Sequence, residues 1–211
     1  MLTWQPRHNQ SIDWIIRQLD LQPHQHLLEV GCGSGRLLAA IASRSRSNFI
    51  AALTPSVIRY RQAARRNTTF IQQDTVQLHL GQLQDLPYPP GYFHTIYGSG
   101  SYYRWTNFST ECLRLANLLR TGGRLILLSQ PGHYSKEEVL RTEAAHLQAA
   151  FLKAGLTDIH SEFRDLPSGV CLSVTGVKPL QQHDYQLFNI INNRLLNSEA
   201  YFISKVARIQ Q

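Results

Sequence analysis

The sequence predicts an α/β fold, a doubly wound and mostly parallel sheet with helices on both faces. Three observations carry that expectation. Short apolar runs alternate with helix-periodic segments over most of the length. The run RLILLS (124–129) is apolar throughout and flanked by breakers, as a strand covered on both faces requires. The stretch HLLEVGCGSGRLL (26–38) reads as strand, glycine turn and helix, the unit from which such sheets are built.

The elements follow in order. Residues 11–20 place Ile12, Ile15, Ile16 and Leu19 on one helical face, and 26–30 form a short strand. A helix of small residues is expected over 36–43 and a strand over 48–53. PSVIRYRQAARR (55–66) is a helix with Pro55 in its first turn, a position where the missing N–H costs nothing. VQLHL (76–80) and YFHTIYG (92–98) are strands. Residues 108–120 are a helix stopped by Thr121-Gly122-Gly123, and 136–154 another that ends before Gly155. TDIHSEFR (157–164) and CLSVTGVKP (171–179) close the sheet. One domain over 1–180 is expected, with a helical extension over 181–211 packed upon it.

Composition narrows the function classes. No run of about 18 apolar residues exists, so no membrane span is expected, and the N-terminus lacks the pattern of a signal peptide. Cys32, Cys112 and Cys171 are scattered and without CxxC spacing, which suits a reducing cytoplasm rather than a disulfide framework or a zinc site. The net charge of +7 is concentrated between Val30 and Gln73, which hold seven arginines and no acid. That segment reads as a solvated face of two helices, or as a surface that attracts RNA, DNA or an anionic substrate. Aromatic residues are sparse among the arginines, Phe49 and Tyr60 only, and do not form the interleaved pattern of nucleic-acid readers.

Gly31, Gly33 and Gly35 occupy alternate positions, so something must approach the backbone closely. The spacing is not the G-x-G-x-x-G of dinucleotide sites, and no lysine with Ser/Thr follows as in a P-loop. Glu29 before the turn would repel a pyrophosphate and attract an ammonium.

LLEVGCGSG (27–35) resembles the first motif of class I S-adenosylmethionine-dependent methyltransferases, an acid followed by G-x-G-x-G after a strand. LTPSVIRYRQAARR, GQLQDLPYPPGYFHTIYGSGSYYRW and NLLRTGGRLILL resemble the family's later segments, in order and at the right distances, over residues 25–130. The resemblance implies a Rossmann-like seven-stranded sheet with an antiparallel last strand, and S-adenosyl-L-methionine as cofactor. It implies cofactor contacts at Glu29, Gly31, Gly33, Gly35, Thr54, Pro55, Gln82, Leu83, Gly98 and Ser99, and no metal.

The chain departs from the pattern at three places. Thr54 stands where an acid takes both ribose hydroxyls, and Gln82 where an aspartate meets the adenine amine. Losing a charge-assisted bond of this kind costs about 1.5–3 kcal/mol unless another residue substitutes. His94 replaces the acid of an F-D pair at the start of its strand, away from the ligand end, and reads as structural.

Methyl transfer from a sulfonium needs alignment, worth about 7–11 kcal/mol, more than acid–base help. Candidate acceptor contacts are Tyr102, Tyr103 and Trp105 after the fourth strand, whose plainer reading is packing of the next helix. His133 after the fifth strand is the candidate base, or simply an exposed loop histidine. The expected function is methyl transfer to a small organic molecule. The alternatives are an RNA or protein methyltransferase using the arginine-rich face, and a degenerate protein that binds S-adenosylmethionine without turnover.

Overall fold

The computed structural model describes residues 8–45, 47–129, 137–166 and 169–180. Helices α1 (His8–Leu19), α2 (Arg36–Arg44), α3 (Val57–Arg66), α4 (Thr68–Gln72), α5 (Phe108–Leu118) and α6 (Glu137–Lys153) alternate with seven strands. The strands are β1 (His26–Val30), β2 (Phe49–Thr54), β3 (Val76–Leu80), β4 (Phe93–Ser99), β5 (Leu119–Ser129), β6 (Thr157–Leu166) and β7 (Gly169–Val177). They form one sheet in the order β3-β2-β1-β4-β5-β7-β6, parallel except for β7, which runs antiparallel to both its neighbours. The chain runs outward from β1 to β3 and then returns to β4. The crevice beyond the ends of β1 and β4 is therefore the switch point where such sheets hold ligands.

Alternation along the strands divides the core in two. One face carries Leu28, Val30, Leu53, Ile96, Leu125 and Leu127 against Leu115 of α5 and Leu147 and Phe151 of α6. The other carries Leu27, Ile50, Tyr97, Ile126 and Leu128 against Trp14 and Ile15 of α1 and Leu38 and Ile41 of α2. β1 and β2 are covered on both faces, which is why their sequences are near-continuously apolar. His94 stays at the start of β4, where its Nδ1 accepts a hydrogen bond from the His26 N–H at 3.1 Å.

The helix expected to stop at the glycine pair ends earlier, at Leu118, and β5 begins at Leu119. Leu119 is fully buried and pairs with Phe93, so burial draws it into the sheet before the glycines. Gly122 and Gly123 instead exchange backbone hydrogen bonds with Lys178, at 2.9 and 2.8 Å. The Lys178 ammonium donates to the carbonyls of Asn117 and Leu119, at 3.2 and 2.7 Å, and so caps the end of α5. The short helix α4 carries no apolar period of its own and was not expected from the sequence. The unit that contains the sheet ends at Lys178. The predicted extension over 181–211 lies outside the described residues. Among the described residues no helix is long and apolar enough to cross a membrane.

Removing the Lys178 ammonium takes its donor from the part-buried Leu119 carbonyl, while the exposed Asn117 carbonyl keeps the Gly91 N–H. Lys178→Ala is expected to cost about 1–3 kcal/mol, and differential scanning calorimetry should show a Tm lower by roughly 2–10 °C.

Candidate functional site

The turn after β1 is built by three close approaches. The N–H groups of Gly31 and Cys32 both donate to the Leu53 carbonyl, at 2.8 and 3.0 Å, tying the turn to the end of β2. The Gly35 N–H donates to the Cys32 carbonyl, and Gly35 starts α2 with φ +72°. The Ser101 hydroxyl donates to the Val30 carbonyl at 2.6 Å, joining the turn to the segment after β4.

The three glycines then separate by role. A Cβ on Gly31 would stand 2.2 Å from the Ser101 Cβ. One on Gly35 would stand 2.5 Å from the Asn67 amide nitrogen and 2.9 Å from the Ala63 Cβ. Asn67, fully buried after α3, fills that contact by donating to the carbonyls of Gly35 and Ala63, at 3.1 and 2.9 Å. A Cβ on Gly33, at φ +54°, would meet nothing within 4 Å. Of the three glycines of the turn, only Gly33 has open space where a side chain would stand.

Gly33 borders a cavity of about 410 Å³ at the switch point. The structure brings Gly31, Gly33, Thr54, Pro55, Gln82, Leu83, Ser99 and Trp105 to its wall. Three expected contacts do not line it. Gly35 faces α3, and Gly98 faces Ser101, Leu127 and the Val30 carbonyl. Glu29 lies beneath the turn, 3% exposed, accepting a hydrogen bond from the Tyr97 hydroxyl at 3.3 Å. Burial pushes its carboxyl up to about 8, against the smaller opposing effect of that hydroxyl. Cys32 packs in the core beside it, its thiol pushed up by burial and by the Glu29 charge.

Thr54 is buried, and its Oγ1 accepts from the Ser56 N–H at 3.4 Å. The Gln82 N–H donates to the Asp85 carboxylate at 2.8 Å, which closes the 3-10 turn over Leu83–Asp85. Among the wall residues that the sequence did not single out are two charged ones, Arg104 and Glu111. Asn67 also went unnoticed: an asparagine just past a helix reads as an ordinary cap until its partner in another element is known.

A second cavity of about 490 Å³ lies between the segment after β4 and α6. Tyr102, Tyr103, Trp105 and Phe108 line it on one side, and Val139, Glu143, His146 and Leu147 of α6 on the other. Trp105 belongs to both cavities. The Tyr102 hydroxyl donates to that of Tyr103 at 3.0 Å, which meets Ser129 Oγ at the end of β5 at 2.8 Å. Burial pushes both phenols upward, and hydrogen bonds to Glu143 add to this, so both stay protonated. His133 lies outside the described residues.

Among the described residues, three of the seven arginines between Val30 and Gln73 are engaged within the fold. Arg44 pairs with Asp13 at 2.6 Å, Arg59 bonds Gln62 at 3.2 Å, and Arg66 donates to the carbonyl and hydroxyl of Ser34 in the glycine turn.

A family model described as mycolic acid cyclopropane synthetase matches residues 3–208. The chain belongs to that family. It is a class I S-adenosylmethionine-dependent methyltransferase. The methyltransferase is 24% identical over 173 residues to the uncharacterized methyltransferase YdaC of Bacillus subtilis, covering 81% of this chain and 93% of that one. Its fold is similar to that of YcgJ from Bacillus subtilis, with TM-score 0.63 and 14% identity over 82% of this chain and 100% of the other. It is similar as well to a Haemonchus contortus phosphoethanolamine N-methyltransferase solved with phosphomonomethylethanolamine and S-adenosylhomocysteine. There the TM-score is 0.65 and the identity 14%, over 81% of this chain and 53% of that one.

The open wall at Gly33 and the mixed polar lining fit a nucleoside with an amino-acid arm. Gly33→Val is expected to abolish binding of S-adenosylhomocysteine in calorimetric titration, at a backbone cost of about 1–2 kcal/mol. Gly35→Ala should lower Tm more, since its Cβ meets Asn67 and Ala63 rather than open space.

Glu29 yields a pH signature in the ligand-free protein. Its folded pKa of about 8 exceeds its ordinary value of 4.5, so the folded state holds the proton more tightly. Stability therefore falls as pH rises from 4.5 through about 8. Thermal melts from pH 5 to 8.5 should show wild type losing Tm relative to Glu29→Gln; parallel curves would contradict the assignment.

Proposed function

We propose that this methyltransferase moves a methyl group from S-adenosylmethionine to a small organic molecule with an apolar or aromatic body. The observation that carries the reading is the pair of cavities with Trp105 as a common wall. The first takes the cofactor, with Gly31, Gly33, Thr54, Pro55, Gln82, Leu83 and Ser99 as contacts, and the second takes the acceptor. Glu29, Gly35 and Gly98 act from behind the wall by setting the turn and the end of β4.

The cofactor supplies an activated methyl group; the chain supplies alignment. Rings of Tyr102, Trp105 and Phe108 lie 6.4, 6.3 and 5.7 Å apart pairwise and give the acceptor an apolar seat. The Tyr103 hydroxyl, held by Ser129 at the end of β5, orients a polar group of the acceptor as a neutral hydrogen-bonding partner. Neither phenol can serve as a base, because burial keeps both protons on. An acceptor that enters as a neutral amine or an ionised group needs no base, and His133 remains the candidate for one that does.

The small acceptor seen with the Haemonchus contortus enzyme supports this class over a macromolecule. The use of Arg44 and Arg66 within the fold points the same way.

Calorimetry with S-adenosylmethionine and S-adenosylhomocysteine, with NAD as control, should show binding of both sulfur ligands and none of NAD. A panel of phenols and of aromatic and aliphatic amines then identifies an acceptor by release of S-adenosylhomocysteine. Val139→Trp, on the exposed rim of the second cavity, should raise the acceptor KM by roughly tenfold or more and leave S-adenosylhomocysteine affinity unchanged. An unchanged KM removes the acceptor from that cavity.

A further inference from the structure

We infer that the acceptor is a cation: an amine with an apolar or aromatic body, whose ammonium is held by the Glu143 carboxylate of α6. The inference rests on the reading that the second cavity seats the acceptor, and it adds the charge which that cavity selects.

The wall that α6 gives to the cavity is one helix face. Val139, Thr142, Glu143, His146 and Leu147 recur at the three- and four-residue steps that bring helical side chains together. Among the described residues, Glu143 is the one acid on the cavity wall, and no lysine or arginine lines it. The arginines close to the lining residues in sequence are turned elsewhere. Arg141 lies over the Phe163 ring of β6, 5.3 Å from its centroid. Arg104 lines the first cavity and not this one. Among the described residues no ion pair engages Glu143.

The carboxylate is half-buried and opens on the cavity. Its capacity to accept hydrogen bonds is not filled by the wall. Tyr102 gives its one proton to Tyr103 at 3.0 Å, which leaves Tyr103 as the phenol with a proton to share between Glu143 and a ligand. An ionised carboxylate accepts roughly four hydrogen bonds, so most of that capacity is left to whatever enters the cavity. An ammonium brings three donors and a full charge, whereas an alcohol or phenol brings one donor and none. The rings of Tyr102, Trp105 and Phe108 complete the site, since the face of an aromatic ring attracts a cation. An anionic acceptor gains neither contact and is repelled by the carboxylate.

The test is an NMR titration of the full chain in the presence of S-adenosylhomocysteine, at about pH 8, where an alkylamine is still protonated. The probes are 2-phenylethylamine and 2-phenylethanol, alike in body and different in charge. Wild type should bind the amine at least about tenfold more tightly, as a charge-assisted hydrogen bond predicts. Glu143→Gln should narrow the ratio to about threefold or less, because the amide keeps the shape and loses the charge. The ratio is an internal control, since any loss of folded protein affects both probes equally. Val139→Trp should weaken both probes alike. Equal affinities in wild type, or a ratio that Glu143→Gln leaves unchanged, overturn the inference; if Val139→Trp still weakens both probes, the acceptor stays in the second cavity. Binding that Val139→Trp leaves unchanged overturns both the inference and that placing. No binding of the amine overturns the inference, and the panel of acceptors then tests the cavity by itself.

Discussion

The bonds from Gly31 and Cys32 to the Leu53 carbonyl hold the turn after β1 against the end of β2, and the site depends on that hold. Two parallel strands need a crossover, and α2 supplies it only if the chain reverses within a few residues of Val30. Gly35, at φ +72°, makes that reversal possible, and Asn67 fills the space where its side chain would stand. α3 can then pack within van der Waals distance of the turn, which keeps the ends of β1 and β2 level. The cavity is the space left in front of this brace.

Chemistry and stability are divided among similar residues. Of the three alternate glycines, Gly35 serves a contact inside the protein, Gly33 borders the cavity, and Gly31 does both, packing on Ser101 while lining the wall. Glu29 illustrates the same division. Its carboxyl sits beneath the turn, 3% exposed and hydrogen-bonded to the Tyr97 hydroxyl, so it belongs to the brace rather than to the cavity wall. The cost is a group that resists ionisation until about pH 8.

The neutral residues Thr54 and Gln82 need not mean a weakened enzyme. The cavity recovers charge from elements that do not belong to the strand ends, with Arg104 after β4 and Glu111 on α5. Trp105, which lies between them in the chain, lines both this cavity and the second, more apolar one.

The sequence by itself determined the order and type of the seven strands and of every α-helix but α4. Apolar periodicity and turn residues are local signals, so His26–Val30 and Val76–Leu80 are strands as expected, and the spacing of the glycine turn named the family. Tertiary structure decided where the helix before β5 stops, because burial of Leu119 outweighed the stop signal at the glycine pair. It also decided which expected contacts reach the cavity. Gly35, Gly98 and Glu29 sit in the motif but turn toward α3, Ser101 and Tyr97. Asn67 and Glu111 carry no motif, yet one braces the turn and the other lines the cavity. A motif records which residues are near one another along the chain. What a side chain faces depends on elements tens of residues away, and only their packing sets that.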